Sequence, residues 1–85
     1  MIVDALFGIG LSRDITGIYR EWIERINDFS GIVISVDIPS GVDATTGKIL
    51  GIAVKADITV TFGENKTGLV LFPGAQYVGK LYVER

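Results

Sequence analysis

The sequence contains no cysteine and no histidine among its 85 residues. Without cysteine, disulfide bonds and thiolate metal sites are excluded. Without histidine, the chain cannot form the usual serine–histidine–aspartate triad, use an imidazole as a general base or build a histidine-ligated zinc site. Any proton transfer must therefore use an aspartate, glutamate, lysine or tyrosine side chain.

Two classes of partner are disfavoured by the charge and the hydropathy of the chain. Eight basic and ten acidic residues give a formal net charge of -2, and no basic patch marks a nucleic-acid interface. No apolar stretch approaches the ~20 residues that a membrane-spanning helix requires. Met1 precedes a strand-like segment directly, without a charged leader. We therefore expect a cytoplasmic protein that binds neither nucleic acid nor membrane.

Hydrophobic residues make up 48% of the chain, which is a large share for so short a sequence. A domain of this size buries only about 60% of the surface that its unfolded chain exposes, so its core alone is marginal. The surplus of apolar residues indicates buried strands that require neighbours. We expect either part of a larger α/β domain or one half of a tight homo-oligomer.

The apolar pattern predicts a strand–helix–strand unit followed by two further strands. Short apolar runs over residues 1–7 and 32–36 flank a predicted helix over 17–29. Further strands are predicted over 58–62 and 80–83. Apolar residues at both alternating positions of these runs indicate a mostly parallel sheet that is covered on both faces. The expected fold class is therefore α/β.

One face of the predicted helix carries an apolar stripe. Thr16 is a candidate N-cap, and Ser30 and Gly31 end the helix. Apolar residues recur at a spacing near 3.6, which predicts the face that packs on the sheet. Its members are Ile18, Trp22, Ile26 and Phe29, widened by Tyr19 and Ile23.

Two aspartates follow apolar strands of the predicted sheet. Asp4 lies near the carboxyl end of the first strand, and Asp37 directly follows the second. Because α/β sheets bind ligands at the carboxyl ends of their strands, we expect both aspartates at one small-molecule site. A carboxylate in an apolar strand is costly unless it is paired, and Asp4 could cap backbone N–H groups or contact a cation or ligand. Oxygen donors such as Asp4, Ser40 and backbone carbonyls suit a hard cation.

The turn after Asp37 presents a carboxylate and a hydroxyl together. Pro39 stiffens this turn, and Ser40 and a glycine follow it. Asp37 could therefore belong to a preorganised site, or it could form an Asx-type turn that holds no ligand. Asp43 with its two following threonines is predicted to build a turn. Lys66 follows the third strand at the same edge, where it could contact a phosphate, polarise a substrate or remain solvated.

A glycine-bearing loop follows the first strand and precedes the helix. Glycines allow a close approach of the backbone to a ligand, and N–H groups near a helix start favour anions. The loop is neither a complete GxGxxG motif nor a P-loop, so a plain turn is an alternative. An arginine in it could meet a phosphate or stay solvated. The candidate binding residues are Gly8, Ile9, Gly10, Leu11, Ser12, Arg13 and Asp14.

Three segments together resemble the YjeF N-terminal domain family. They are residues 3–13 (VDALFGIGLSR), 35–47 (SVDIPSGVDATTG) and 54–62 (VKADITVTF). The resemblance implies a Rossmann-like three-layer α/β/α domain with a mostly parallel sheet. A glycine- and asparagine-rich phosphate loop of that family is absent, so residues 1–85 are expected to be the C-terminal portion of such a domain.

Enzymatic members of that family are NAD(P)HX epimerases, which interconvert the R and S forms of hydrated NADH and NADPH at C6 of the nicotinamide ring. The resemblance implies NADHX or NADPHX as substrate, a bound potassium ion, and an ATP- or ADP-dependent dehydratase as partner, fused to the epimerase in many bacteria. It assigns potassium to Asp4 and Ser40, the dinucleotide to residues 8–14, and substrate contact with acid/base catalysis to Asp37. The alternatives are a non-catalytic nucleotide-binding or dimerisation module and an inactive fragment.

Overall fold

The computed structural model describes residues 1–5, 15–63 and 66–84, which form a four-stranded parallel sheet with one α-helix. This confirms the predicted α/β class. The strands are β1 (Ile2–Asp4), β2 (Val33–Val36), β3 (Ile58–Phe62) and β4 (Lys80–Glu84), and the helix is α1 (Gly17–Asn27). Two short 3₁₀ helices, Thr67–Leu69 and Gly74–Tyr77, lie between β3 and β4.

The order of the strands in the sheet follows their order in the chain, β1-β2-β3-β4, and every pair is parallel. Connections between parallel strands are right-handed almost without exception. When successive right-handed connections always advance in the same direction, they lie on the same face of the sheet. The topology therefore places the connections between the described strands on one face of this sheet.

The covered face contains the buried part of the molecule. Asp4, Ser35 and Thr59 are in register on adjacent strands, so their side chains share this face, and all three are buried. One core cluster joins α1 to the sheet and a second lies under the 3₁₀ helices. The first comprises Ile15, Ile23, Val33 and Val54, and the second Ile38, Leu69 and Val78.

The opposite face of the sheet is apolar and partly exposed among the described residues. Val3 is 55% exposed and Tyr82 43% exposed, and the residues between them in the sheet are half-buried. Those residues are Ile34, Val36, Ile58 and Val60. The sequence predicted a sheet that is covered on both faces. The described part of the chain covers one of the two faces. We call this second surface the open face.

Helix α1 buries only part of the predicted stripe. Ile23 is fully buried and Ile26 packs beside it, whereas Ile18, Trp22 and Phe29 are exposed by 39% or more. The prediction for these three residues was wrong because the apolar stripe is wider than the face that meets the sheet, and spacing alone does not tell which part of the stripe is buried. Thr16 occupies the N-cap position without a side-chain capping bond.

Among the described residues, no helix has both the length and the apolar character needed to span a bilayer.

Candidate functional site

Asp4 lies at the centre of a buried hydrogen-bond network at the carboxyl end of β1. The register of the sheet pairs Asp4 with Ser35, whose hydroxyl donates to Asp4 Oδ2 at 2.8 Å. The Ser40 backbone N–H donates to the same oxygen at 2.8 Å, and the Ser40 hydroxyl donates to Oδ1 at 2.6 Å. All three side chains are at most 1% exposed. The cost of burying the carboxylate is thereby offset by charge-assisted hydrogen bonds.

The turn that delivers Ser40 is held in place by the segment before β3. The Ser40 carbonyl accepts a hydrogen bond from the Val54 N–H, and the Gly41 carbonyl accepts one from the Leu50 N–H, both at 2.8 Å. Gly41 has a φ of 96°, and a Cβ there would lie 2.0 Å from the carbonyl oxygen of Ile52. Only glycine fits this close approach, and so the position of Ser40 depends on Gly41.

Asp37 has an unusual backbone for a residue with a side chain. Its φ is 76°, in the left-handed region that aspartate tolerates better than most residues. Its N–H donates to the Val60 carbonyl at 2.7 Å, so the backbone is fixed against β3 at the end of β2. Its side chain is 24% exposed, which leaves the carboxylate accessible from solvent.

The Asp37 carboxylate forms an ion pair with Lys66. The distance from Lys66 Nζ to Asp37 Oδ1 is 2.7 Å, and the Lys66 side chain is only 18% exposed. Thr61, which is fully buried, donates to the same Oδ1 at 3.3 Å and accepts from Lys66 Nζ at 3.1 Å. Lys66 is therefore not the solvated lysine that was one alternative, since it joins the ends of β2 and β3.

The structure brings the predicted residues together as two clusters. Asp4 and Ser40 are in direct contact, and the capping interpretation of Asp4 is correct in that Asp4 accepts a backbone N–H. Asp37 instead lies in a second cluster with Lys66 and Thr61. The predicted loop of residues 8–14 lies outside the described residues.

Two members of these clusters, Ser35 and Thr61, were missed from the sequence. Each is a small polar residue inside an otherwise apolar strand, and both are fully buried. A buried hydroxyl needs a hydrogen-bond partner, so a serine or threonine in a buried strand could have indicated a polar neighbour on the same face. The register needed to name that neighbour is not readable from the sequence.

The predicted turn at Asp43 is confirmed. Asp43 Oδ1 accepts hydrogen bonds from the N–H groups of Thr46 at 2.9 Å and Thr45 at 2.8 Å. These bonds, led by that of Thr46, lower the pKa of the Asp43 carboxyl below its ordinary value of 3.8. Asp43 therefore builds the turn after the site and is no member of either cluster.

The oxygen donors around Asp4 fit a hard cation in their chemistry. Carboxylate and hydroxyl oxygens of Asp4 and Ser40 lie 2.6 Å apart, and hard cations prefer oxygen ligands of these types. Both residues make interactions beyond those with Ser35 and with each other. In the described part of the chain, no three acidic side chains gather as a metal-binding group. A cation here would therefore need further oxygens from elsewhere.

Comparison with known proteins identifies the family. The family model described as YjeF-related protein N-terminus matches residues 1–68. The chain belongs to this family. The match covers both clusters, including Asp4, Asp37, Ser40 and Lys66.

Curated relatives of this YjeF-family chain carry the names of NAD(P)H-hydrate repair enzymes and epimerases. It is 58% identical over 83 residues to the "Bifunctional NAD(P)H-hydrate repair enzyme Nnr" of Thermofilum pendens, covering 98% of the chain and 16% of that protein. It is 48% identical to the "NAD(P)H-hydrate epimerase" of Limosilactobacillus fermentum and 45% identical to that of Weissella koreensis. Those matches cover 98% and 99% of the chain. The chain spans 40% and 38% of these two relatives.

Proposed function

We propose that this chain contributes to an NAD(P)HX epimerase, which interconverts (R)- and (S)-NAD(P)HX at C6 of the hydrated nicotinamide and so serves nicotinamide nucleotide repair. The family membership and the names of the relatives support this reaction. The observation that carries it in this chain is the Asp37 carboxylate, which is fixed by Lys66 and Thr61 and is accessible at the carboxyl edge of the sheet.

The chemistry of inversion at C6 suits a carboxylate. C6 carries a hydroxyl beside the ring nitrogen, and its configuration changes only if one of its bonds breaks and forms again on the other face. Protonation of the C6 hydroxyl followed by loss of water gives an iminium ion, and transfer of the hydroxyl proton to N1 with cleavage of the C6–N1 bond gives an aldehyde and an amine. Either route moves a proton to or from the C6 oxygen without transferring electrons to a redox partner. Asp37 would exchange that proton and stabilise developing positive charge.

The remaining assignments complete this proposal. Residues 8–14 would hold the dinucleotide, which is substrate here and not a redox cofactor. Asp4 and Ser40 would hold a potassium ion, whose charge would fix the carboxylates and backbone carbonyls around the site. Potassium is then expected to raise the thermal unfolding temperature relative to tetramethylammonium at equal ionic strength, and Ser40→Ala to remove the difference.

The wider setting of the reaction belongs to the same proposal. An ATP- or ADP-dependent dehydratase would consume the S epimer, and the name of the Thermofilum pendens relative as a bifunctional repair enzyme supports such a partner, fused or separate. We also propose a cytoplasmic location and a homo-oligomeric state, in keeping with the apolar open face.

A coupled assay tests the reaction. Mixed (R)- and (S)-NADHX is supplied to the protein in its full cellular length, with an S-specific dehydratase and ATP, so that the R form disappears only as fast as it epimerises. The protein is expected to accelerate this phase, and Asp37→Asn to slow it at least about 100-fold, which is the usual size of an acid/base contribution.

The matched control is Asp28→Asn, which neutralises an exposed aspartate at the end of α1. This variant should keep the full rate. If the unchanged protein reacts no faster than the spontaneous background, the enzyme proposal is wrong. The chain would then be a non-catalytic nucleotide-binding or dimerisation module, or an inactive fragment. Full activity of Asp37→Asn would remove Asp37 from the mechanism.

A further inference from the structure

We infer that Lys66 and Thr61 are positioning residues that hold Asp37 by one oxygen, Oδ1, so that Oδ2 is the oxygen that exchanges the proton with the substrate. This inference rests on the proposed function for the identity of the substrate. Its structural half, the fixing of the carboxylate by Oδ1, is independent of the reaction and is tested separately below.

The two oxygens of Asp37 have different surroundings. Oδ1 accepts from Lys66 Nζ at 2.7 Å and from the Thr61 hydroxyl at 3.3 Å. No hydrogen bond from the described residues reaches Oδ2. A carboxylate oxygen has two lone pairs in its plane, and those of Oδ1 already accept from a charged donor and a hydroxyl, so Oδ1 could take a proton only by giving up one of these bonds. The side chain is 24% exposed, so Oδ2 is the oxygen that a ligand can meet.

The hydrogen bonds of Lys66 distinguish a positioning role from phosphate binding. An ammonium group has three N–H donors. Nζ lies 2.7 Å from Asp37 Oδ1, 3.1 Å from Thr61 Oγ1 and 3.5 Å from the carbonyl oxygen of Phe62. Three acceptors of this chain match three donors, with the weakest at 3.5 Å. Lys66 therefore directs its hydrogen bonds to the strand ends, and a phosphate would have to break one of them.

Thr61 is hydrogen-bonded to both members of the ion pair and so fixes their orientation. A hydroxyl has one proton, and Thr61 is fully buried on β3 among residues that leave it no access to water. The hydroxyl donates to Asp37 and accepts from Lys66, so the three side chains form a closed triangle. The Asp37 backbone is held separately through its N–H bond to the Val60 carbonyl. Both the backbone and one carboxylate oxygen of Asp37 are thus fixed before any ligand arrives.

The first arm of the test measures the conformation of Asp37 by NMR. The three-bond couplings between Hα and the two Hβ protons report whether the side chain occupies one rotamer or several. The unchanged protein is expected to show one large and one small coupling, or two small ones, typical of a single rotamer. Lys66→Met and Thr61→Val should move both couplings toward averaged values. Thr61→Ser retains the hydroxyl and should restore the single rotamer.

The second arm measures kinetics with the coupled assay in the same variants. Lys66→Met is expected to lower kcat about 10- to 100-fold, because a small displacement of an acid/base group costs up to about 100-fold. KM should stay within about twofold, since Lys66 does not bind the substrate. Lys66→Arg keeps the charge and should recover part of kcat. Lys55→Met, which removes an exposed lysine before β3, is the matched control and should change neither kcat nor KM.

Each outcome decides the inference. A raised KM at unchanged kcat in Lys66→Met would make Lys66 a substrate ligand and overturn it. Unchanged Asp37 couplings in both Lys66→Met and Thr61→Val would overturn it as well. If Lys66→Met fails to fold, as its amide spectrum would show, Thr61→Val against Thr61→Ser gives the answer. An inactive unchanged protein with the expected couplings would refute the proposed function and with it the role of Oδ2, while leaving the positioning role established.

Discussion

The backbone of Asp37 decides which substitutions report on its chemistry. At a φ of 76°, most residues with a Cβ are strained by about 1–2 kcal/mol, while asparagine tolerates this region as aspartate does. We expect Asp37→Asn to keep an oxygen that accepts from Lys66 but to lose the charge of a largely buried ion pair, about 1–3 kcal/mol. Asp37→Ala should lose about 1 kcal/mol more. Urea denaturation of both variants measures the difference, and equal stabilities would show that the backbone is relaxed.

Asp43 makes the stability of the chain depend on acid. Its pKa is lowered in the folded state by the N–H groups of Thr46 and Thr45, whereas the unfolded chain titrates near 3.8. The unfolded state therefore binds the proton first as pH falls. The stabilisation from Asp43 is complete well above pH 3.8 and is lost as the pH falls through the lower folded pKa.

Asp43→Asn tests this pH dependence. The amide oxygen can still accept both N–H bonds, but it does not titrate in this range. The free energy of unfolding of this variant should therefore fall less steeply below pH 3.8 than that of the unchanged chain. Denaturant midpoints measured at several pH values give both slopes. Parallel curves would assign the acid sensitivity to other carboxylates.

At single residues, the sequence predicted positions better than pairings. Asp4 and Asp37 were expected at one site because the ends of parallel strands meet at one edge, but the structure places them in two separate clusters. Lys66 was placed at the same edge, yet its pairing with Asp37 was not foreseen. That pairing depends on the path of the chain after β3 and on the left-handed φ of Asp37, and neither is encoded in spacing.

At the scale of elements, the turn between β2 and the following segment depends on one glycine. A Cβ on Gly41 would lie 2.0 Å from the Ile52 carbonyl oxygen and 2.7 Å from the Ala53 Cα, and backbone atoms cannot yield as a flexible side chain does. Gly41→Ala should therefore displace the turn and withdraw Ser40 from Asp4. We expect a loss of more than about 4 kcal/mol in the free energy of unfolding, the range of severe core changes.

Gly17→Ala is the matched control for Gly41→Ala. Gly17 also has a positive φ, 66°, but a Cβ there meets no atom within 4 Å. Its cost should be the backbone strain alone, about 1–2 kcal/mol. Denaturant unfolding of both variants separates strain from collision. A loss in Gly41→Ala no larger than in Gly17→Ala would mean that the segment around Ile52 moves aside freely.

The sequence predicted the strands and the helix better than it predicted which of their faces are buried. Every predicted strand and the helix are present, because short β-branched runs and glycine punctuation are local signals. The face of α1 that packs on the sheet was predicted only in part, since Ile23 and Ile26 are packed and Trp22 is exposed. Its hydrogen-bonding residue Asn27, which bridges the Ala53 carbonyl and the Lys55 N–H, lies near Ile23 and Ile26 and marks the packed side. Contacts of this kind join segments that are distant in the sequence, so the spacing of residues does not predict them.

At the scale of the whole molecule, the open face predicts self-association of the 85-residue chain. Val3 and Tyr82 expose apolar surface at opposite edges of this face, by 55% and 43%. Large contiguous apolar patches are rare on monomers and favour association. The double variant Val3→Thr with Tyr82→Thr replaces two exposed apolar side chains by threonine, which is polar and still favours strands. It should lower both the sedimenting mass and the fluorescence of a bound hydrophobic dye.

Val70→Thr provides the comparison for this double variant. Val70 is 54% exposed but lies at the end of the 3₁₀ helix Thr67–Leu69 and is not part of any strand. Its replacement removes a similar side chain and should leave association unchanged. If all three substitutions lowered association alike, general hydrophobicity would explain it and the open face would have no special part.

The strand order of the sheet also relates to the order in which the residues of the two clusters are synthesised. Each strand is added beside the one made before it, so no strand waits for a later one to fill a gap. Once Ser40 has left the ribosome, every described member of the Asp4 network exists. Asp37 by then still lacks Thr61 and Lys66, which come 24 and 29 residues later. The side chains of the Asp4 network are thus synthesised before the two that hold the Asp37 carboxylate.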